Sequence, residues 1–314
     1  MEARELDQFY TRDDIAVVCV SNLVKILPRL TGSGHGDKWF FVEPSAGGGA
    51  FLRALECVAE TAKCECFACD IDPHCDAVEK RNFLQDDISQ SLPNDVLKIV
   101  LGNPPFGKKG KLAAAFINKG LEYASVVGYI LPIQFNKFSG HNQITNTARL
   151  VFNEQLPADC FVFNGKPYSV RCCFQVWTTL QTRLPDLRLR SSPKTKHPDF
   201  EMYQYNCTEE ASKFFDKELY KWDFAVPRQG FKDYTMRETD PSKLDRRVQW
   251  IFFKAKNKTV LKRLKELDFD SLSRRNSTIP GFGKADVVLE YESKYHKQDT
   301  GKHIQNEFDF DGSK

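Results

Sequence analysis

The 314-residue chain contains no apolar run approaching the roughly 18 residues that a membrane-spanning helix needs, so a membrane protein is not expected. Its opening stretch, MEARELDQFY, carries charges where a secretory leader would be apolar, which argues against secretion. Cysteine is sparse: 10 residues in 314 cannot make a disulfide scaffold for a chain long enough to bury its own core. Reduced thiols of an intracellular protein, cytoplasmic or nuclear, are the expectation. Cys64, Cys66, Cys69, His74 and Cys75 are close in sequence but lack the paired CxxC knuckles of a zinc site. Cys64 and Cys66 alternate along a strand signal and read as core thiols, so no metal is expected. Internal repeats and low-complexity segments are also missing, which excludes a solenoid or a disordered chain.

What is present is a globular balance of 41% hydrophobic and 28% charged residues. The net charge of +3 conceals an uneven distribution. Residues 1–100 hold 10 Lys/Arg against 17 Asp/Glu, whereas residues 101–200 hold 13 against 5. An acidic first third and a basic middle third point to two ligands of different character, the second a polyanion.

Strand and helix signals alternate through the first half. A helix is expected from Asp13 to Arg29, with Ile15, Val18, Cys19, Leu23 and Ile26 along one face. Strands follow at 38–44, 63–72, 96–107 and 126–132. Helices between them are expected at Phe51–Ala62, from Pro73 through Asn82, and at Leu112–Ala124. This alternation predicts a doubly wound, mostly parallel α/β sheet. Further on, DCFVFNGKPYSVRCCFQVWTTL reads as two strands around the turn Asn164-Gly165, an antiparallel hairpin at the sheet edge. Residues 183–198, basic and rich in Pro and Ser, read as a linker. Residues 199–294 form a smaller α+β region, and 295–314 a polar tail.

The chemistry concentrates at strand ends. FVEPSAGGGAF closes one strand with Glu43 and supplies Gly47, Gly48 and Gly49 before a helix, where backbone can approach a ligand closely. Asp70, in CDIDP, ends the next strand about 20 residues on, where nucleotide-binding sheets hold ribose hydroxyls. FLQDDI and then Asn103-Pro104-Pro105-Phe106 follow. An amino group conjugated to a ring is a poor nucleophile, because its lone pair is delocalised. The side-chain oxygen of Asn103 and the carbonyl of Pro104 can accept its two N–H bonds and free that lone pair. The prolines stiffen the turn, and Phe106 offers a face on which a base can stack.

In this order, Glu43-Pro44-x-x-Gly47-x-Gly49, CDIDP, QDDI and NPPF resemble the S-adenosylmethionine-dependent amino-methyltransferases, in particular the adenine-N6 DNA methyltransferases of the gamma arrangement. The resemblance covers residues 7 to about 180. It implies a class I methyltransferase sheet of seven strands in a catalytic domain over 1–182, with 199–294 as a target-recognition or accessory region. S-adenosylmethionine is the implied cofactor. Asp7-Gln8-Phe9-Tyr10-Thr11 matches the family's first motif, whose usual Pro after the Thr is replaced here by Arg12. Tyr10, Thr11, Glu43, Pro44, Ala46, Gly47 and Gly49 would then hold the methionine end. Asp70 and Ile71 would hold the ribose, and Asp87 with Ile88 the adenine. Asn103, Pro104 and Phe106 would be catalytic, with Pro105 beside the substrate base and Phe163 or Tyr168 closing its other side. Lys108, Lys109 and Lys111 would meet phosphates, extended by Lys137, Arg171, Arg188 and Arg190. The implied substrate is adenine in nucleic acid, DNA ahead of RNA, with glutamine in protein as a more distant alternative.

Overall fold

The computed structural model describes residues 10–32, 38–61, 64–163, 165–274 and 279–296, apart from the side chains of Phe163, Lys166 and Pro167. The chain divides into two compact units, Met1–Ser192 with Arg275–Ile279 and Pro193–Arg274 with Pro280–Lys314.

The first unit runs β1 (Tyr10–Thr11), α1 (Asp13–Thr31), β2 (Trp39–Glu43), α2 (Ala50–Cys57), β3 (Glu65–Asp70), β4 (Glu79–Lys80), β5 (Leu97–Gly102), α3 (Lys111–Tyr123), β6 (Val126–Pro132), α4 (Phe138–His141), β7 (Arg149–Gln155), β8 (Phe161–Phe163), β9 (Lys166–Tyr168) and β10 (Cys172–Thr178). Helix α1 forms because Ile15, Cys19, Leu23 and Leu27 repeat at helical spacing and are buried, while Asp13 and Asp14 oppose the positive end of the helix. It stops at Gly32, whose N–H bonds the Pro28 carbonyl at 3.1 Å. The central strands carry continuous apolar runs because both their faces are covered. Every residue of β6 is buried.

The expected sheet is present. Seven strands lie in the order β4-β3-β2-β5-β6-β10-β7. Strands β3, β2, β5 and β6 pair in parallel, and β10 runs antiparallel to both β6 and β7. Phe41, Ile99, Leu101 and Phe174 pack with α1 and α2, whereas Val42, Val100 and Tyr129 pack with α3. Strand order reverses between β2 and β5, and such a switch point opens a crevice beyond the carboxyl ends of the strands.

Three local readings change. No helix forms over 73–82. Those residues turn back along the sheet, with the His74 N–H on the Gly47 carbonyl at 3.2 Å and the Arg81 N–H on the Asp70 carbonyl at 2.9 Å. Strand β7 carried too weak an alternation to be read, since its last residues are exposed. The Asn-Gly hairpin stays out of the main sheet: β8 and β9 join β1 in a separate three-stranded sheet, and β10 alone inserts beside β6.

The stretch up to Ser192 is not a linker but part of the first unit. Arg149 donates to the carbonyls of Thr182 at 3.0 Å and Leu184 at 2.9 Å. Arg188 is buried, and the Leu189 N–H bonds His141 Nδ1 at 2.8 Å. Burial lowers the pKa of His141 from 6.5 to about 4. Between those values the unfolded chain takes up a proton that the folded protein refuses. Stability should therefore fall as pH drops from 6.5 towards 4, by about 3 kcal/mol in all. Urea midpoints across this range should show the loss, and His141→Gln, which keeps an acceptor for Leu189, should flatten it.

The second unit contains β11 (Phe200–Tyr205), α5 (Lys217–Tyr220), β12 (Phe224–Gln229), β13 (Gln249–Ala255), α6 (Lys258–Lys265), α7 (Phe269–Ser273) and α8 (Lys284–Tyr295). Its antiparallel sheet, β11-β13-β12, buries both faces. Ile251 and Phe253 pack with Leu264, Phe269 and Tyr291, while Trp250 and Phe252 pack with Phe215 and Trp222. Among the described residues no helix is long and apolar enough to cross a membrane.

Candidate active site

A cleft of about 310 Å³ opens at the strand-order reversal, within the range of small-molecule sites. Its floor is the end of β2 and the turn that follows, from Glu43 through Gly48. Gly47 has a φ of +50°, and a Cβ there would lie 3.4 Å from the Tyr10 ring, so only glycine fits the turn without strain. The turn is held from two sides. Asp70 Oδ2 accepts the Gly47 N–H at 2.8 Å, and Arg53 donates to the Gly48 carbonyl at 2.6 Å while bonding Asp13 at 2.7 Å. The other oxygen of Asp70 accepts the Asp72 N–H at 2.9 Å. A carboxylate has about four lone-pair positions, so Asp70 keeps acceptor capacity toward the cleft.

Two acids thus face one small cavity. Glu43 is 1% exposed, and burial, reinforced by the charge of Asp70, pushes its carboxyl well above the usual carboxylate range. Its Oε2 has no hydrogen-bond partner among the described residues. Tyr10 lies across the mouth, held by β1 pairing with β8, and burial followed by Asp70 and Asp72 raises its phenol pKa. Thr11, Pro44, Ala46 and Ile71 also reach the cleft, Ile71 being 49% exposed. A buried acid without a partner, a glycine turn and an exposed apolar side chain suit a ligand that joins a cationic end to a nucleoside.

The NPPF turn brings Asn103 and Pro105 into the lining of the same cleft. The Asn103 carbonyl accepts the Ser45 hydroxyl at 3.2 Å, which ties the β5 turn to the β2 turn. Asn103 Oδ1 is shielded from solvent. Pro104 is buried behind, and the half-buried Phe106 packs edge-on to Phe161 with ring centres 6.2 Å apart. Tyr168 lies opposite Phe161 in the β8–β9 register, so it shares the Phe106 neighbourhood. The Phe163 side chain lies outside the described residues, as do Asp7, Gln8 and Phe9. Phe174 and Trp177 are core residues.

Other residues of the sequence reading lie elsewhere. Asp87 does not line the cleft. It accepts the Ser89 N–H at 2.9 Å and the Ser89 hydroxyl at 3.0 Å, which hold its pKa low, and Ile88 is fully buried in the core. Asn82, Phe83 and Leu84, three to five positions earlier, line that end instead, with Leu112 and Phe116 of α3. The FLQDDI segment was the available signal, but its first residues rather than its acids reach the cavity. Lys108, Lys109 and Lys111 are exposed on the loop after NPPF, and among the described residues none of them makes an ion pair. Gly110 closes that loop at a φ of +71°, where a Cβ would press to 2.7 Å on Gln134 and Phe135. Arg188 and Arg190 do not extend the lysine track. Arg188 bonds four backbone carbonyls, and Arg190 pairs with Asp186 at 2.7 Å.

All ten cysteines are free thiols. Among the described residues, the group able to share a metal ion is His197, Asp199 and His296 in the second unit. There His197 Nδ1 already accepts the Asp199 N–H at 3.1 Å.

No protein-family model and no curated protein matches the chain. Its fold is similar to solved structures. A protein assigned to the class I S-adenosylmethionine-dependent methyltransferases of Listeria monocytogenes aligns at 11% identity over 58% of this chain, with a TM-score of 0.39. The present chain spans 64% of that protein's length. A protein assigned as an RNA methyltransferase of Pyrococcus horikoshii aligns at 13% identity over 56% of this chain and 89% of its own, with a TM-score of 0.38. The 23S rRNA methyltransferase ErmE aligns at 14% identity over 58% and 72%, with a TM-score of 0.36. Likenesses of this order carry no functional inference.

Proposed function

We propose that this protein transfers a methyl group from S-adenosylmethionine to the exocyclic amino group of adenine in nucleic acid, with DNA as the substrate. One observation carries the reading. Asn103 and Pro105 line the same cleft as Glu43, the glycine turn and Asp70, so an amino group held by the NPPF turn would lie beside the cofactor.

The cofactor supplies an electrophilic methyl on a sulfonium. The protein's part is to position and to manage charge. Glu43 and the Gly47–Gly48 backbone would face the methionine end, and Asp70 would accept the ribose hydroxyls with its remaining lone pairs. The apolar wall of Phe83, Leu84 and Phe116 would take the adenine ring of the cofactor. Beside them, Asn103 Oδ1 and the Pro104 carbonyl would accept the two N–H bonds of the target amino group and favour a pyramidal nitrogen. That nitrogen would gain the methyl as the sulfonium S–C bond breaks, with its electron pair returning to sulfur, and would release one proton to solvent. For duplex DNA the target base must leave the stack, at a cost of a few kcal/mol, and Phe106 with Tyr168 would face it. Lys108, Lys109 and Lys111 would neutralise flanking phosphates, a contribution that is independent of sequence and sensitive to salt.

Asp70→Ala should weaken S-adenosylmethionine by about 1–3 kcal/mol, since it removes a charged acceptor and also the anchor of the Gly47 N–H. Calorimetric titration measures this, and unchanged affinity would take the ribose role away from Asp70. The substrate class is tested by offering labelled cofactor with duplex DNA, single-stranded DNA, RNA and protein side by side. Label in DNA is expected. Label in RNA alone would transfer the same chemistry to that polymer, and label in protein alone would overturn the nucleic-acid reading.

A further inference from the structure

We propose that Glu43 is a charge switch that tells the sulfonium cofactor from its demethylated product. Its carboxyl is neutral in the ligand-free protein, releases its proton to solvent when the sulfonium cofactor binds, and takes a proton back once the methyl has left. This rests on the reading that the cleft binds S-adenosylmethionine.

The geometry comes first. Glu43 closes β2 at the cleft floor, 1% exposed, with Oε2 lacking a partner among the described residues. The Leu52 N–H stabilises its ionised form. The groups facing it do not supply a balancing cation. From β3 come Asp70, which adds negative charge, and the partly buried thiol of Cys66. From β6 comes the Tyr129 hydroxyl, buried and without a hydrogen bond among the described residues. Tyr10 of β1, Ser45 and Asn103 are uncharged cleft neighbours. Arg53 of α2 is the one cation among the groups acting on Glu43 in the described structure, and its guanidinium is already committed to Asp13 and the Gly48 carbonyl. A carboxylate taken from water into such a place without a counter-ion is costly, so the site holds a proton until a cation arrives.

S-adenosylmethionine carries that cation. It has a sulfonium as well as the ammonium and carboxylate of its amino-acid end, and S-adenosylhomocysteine lacks the sulfonium. In a cavity of low effective dielectric the added charge favours ionised Glu43, whereas the product returns the balance toward the neutral acid. Cofactor binding and proton release are then linked. Affinity for S-adenosylmethionine should rise with pH by up to about tenfold per unit across the Glu43 transition, and affinity for the product should rise less. The outcome is product release assisted by reprotonation.

The test is calorimetric titration of the full chain with each nucleoside at one pH, in buffers of different ionisation enthalpy. The expected result is release of about one proton on binding S-adenosylmethionine and markedly less for S-adenosylhomocysteine. Glu43→Gln, which preserves shape, should abolish the buffer dependence and narrow the preference between the two. As an independent check, Glu43→Gln should become more stable to urea than the parent as pH rises above the ordinary carboxylate range. In that range the folded parent retains a proton that its unfolded chain has lost, so its stability falls as pH rises. Binding of both nucleosides with equal proton counts, or with none, would overturn the switch and leave the cofactor reading intact. Binding of neither would overturn both.

Discussion

Asn103→Ala will abolish methyl transfer, by about a thousandfold or more, while S-adenosylmethionine affinity stays within roughly threefold. The asymmetry follows from what the side chain does. In the proposed mechanism its oxygen would accept a hydrogen bond from the amino group as the nitrogen becomes pyramidal, a contact that would strengthen only as the reaction proceeds. Asn103 also shares the cleft wall with the cofactor residues, so a small change in affinity is expected from lost packing. Asn103→Asp sharpens the comparison, because it keeps the acceptor and adds charge, and it should retain more transfer than the Ala variant. Single-turnover rates with saturating cofactor measure both. Near-parental transfer by Asn103→Ala would remove the residue from the mechanism.

Arg188→Ala will lower stability by about 3–5 kcal/mol without changing salt-dependent nucleic-acid binding in the protein that remains folded. The guanidinium donates to the carbonyls of Thr145 at 2.5 Å, Ala148 at 2.9 Å, His141 at 3.0 Å and Ile144 at 2.7 Å. It also lies 5.7 Å from the Trp177 ring. These carbonyls come from a segment with little regular structure, and removing the side chain strips each of a donor, although His141, Thr145 and Ala148 keep one more from the Ile144 N–H, the Ala148 N–H and Arg190. Arg188→Lys should recover only part of the loss, since one ammonium cannot span acceptors that a planar fork reaches. Urea unfolding gives the number. A loss under about 1 kcal/mol, accompanied by weaker DNA binding, would return Arg188 to a phosphate-binding role.

Arg188 also marks the limit of reading this sequence by composition. RLPDLRLRSSPKTKHP has the basic, Pro- and Ser-rich character of a linker, and only the fold reveals that Arg188 turns inward and that Arg188 and Arg190 satisfy backbone acceptors. The same holds for Asp87. A paired acid before an apolar residue fits the family pattern, yet Asp87 turns to Ser89 and is not among the residues that line the cleft. The elements written in strong periodicity were legible: α1, α3, β2 and β6 lie within a residue or two of expectation, whereas β5 ends at Gly102, five residues before the expected end at 107. Their order places Glu43, the glycine turn, Asp70 and Asn103 at one end of the sheet, where they line one cleft. What could not be read was set by long-range pairing. The β1–β8 ladder carries Tyr10 over the glycine turn, and β10 inserts between β6 and β7 across a gap in sequence. Residues such as Arg53 and Phe116 belong to the cleft only because their helices pack beside it.

The central claim is that the NPPF turn directs the methyl to an amino nitrogen of adenine. It is tested by digesting DNA treated with the protein and isotopically labelled S-adenosylmethionine to nucleosides and identifying the labelled species by mass spectrometry. Label on N6-methyladenine is expected, lost when Asn103→Ala replaces the parent. Label on a ring carbon, or transfer that survives intact in Asn103→Ala, would contradict it.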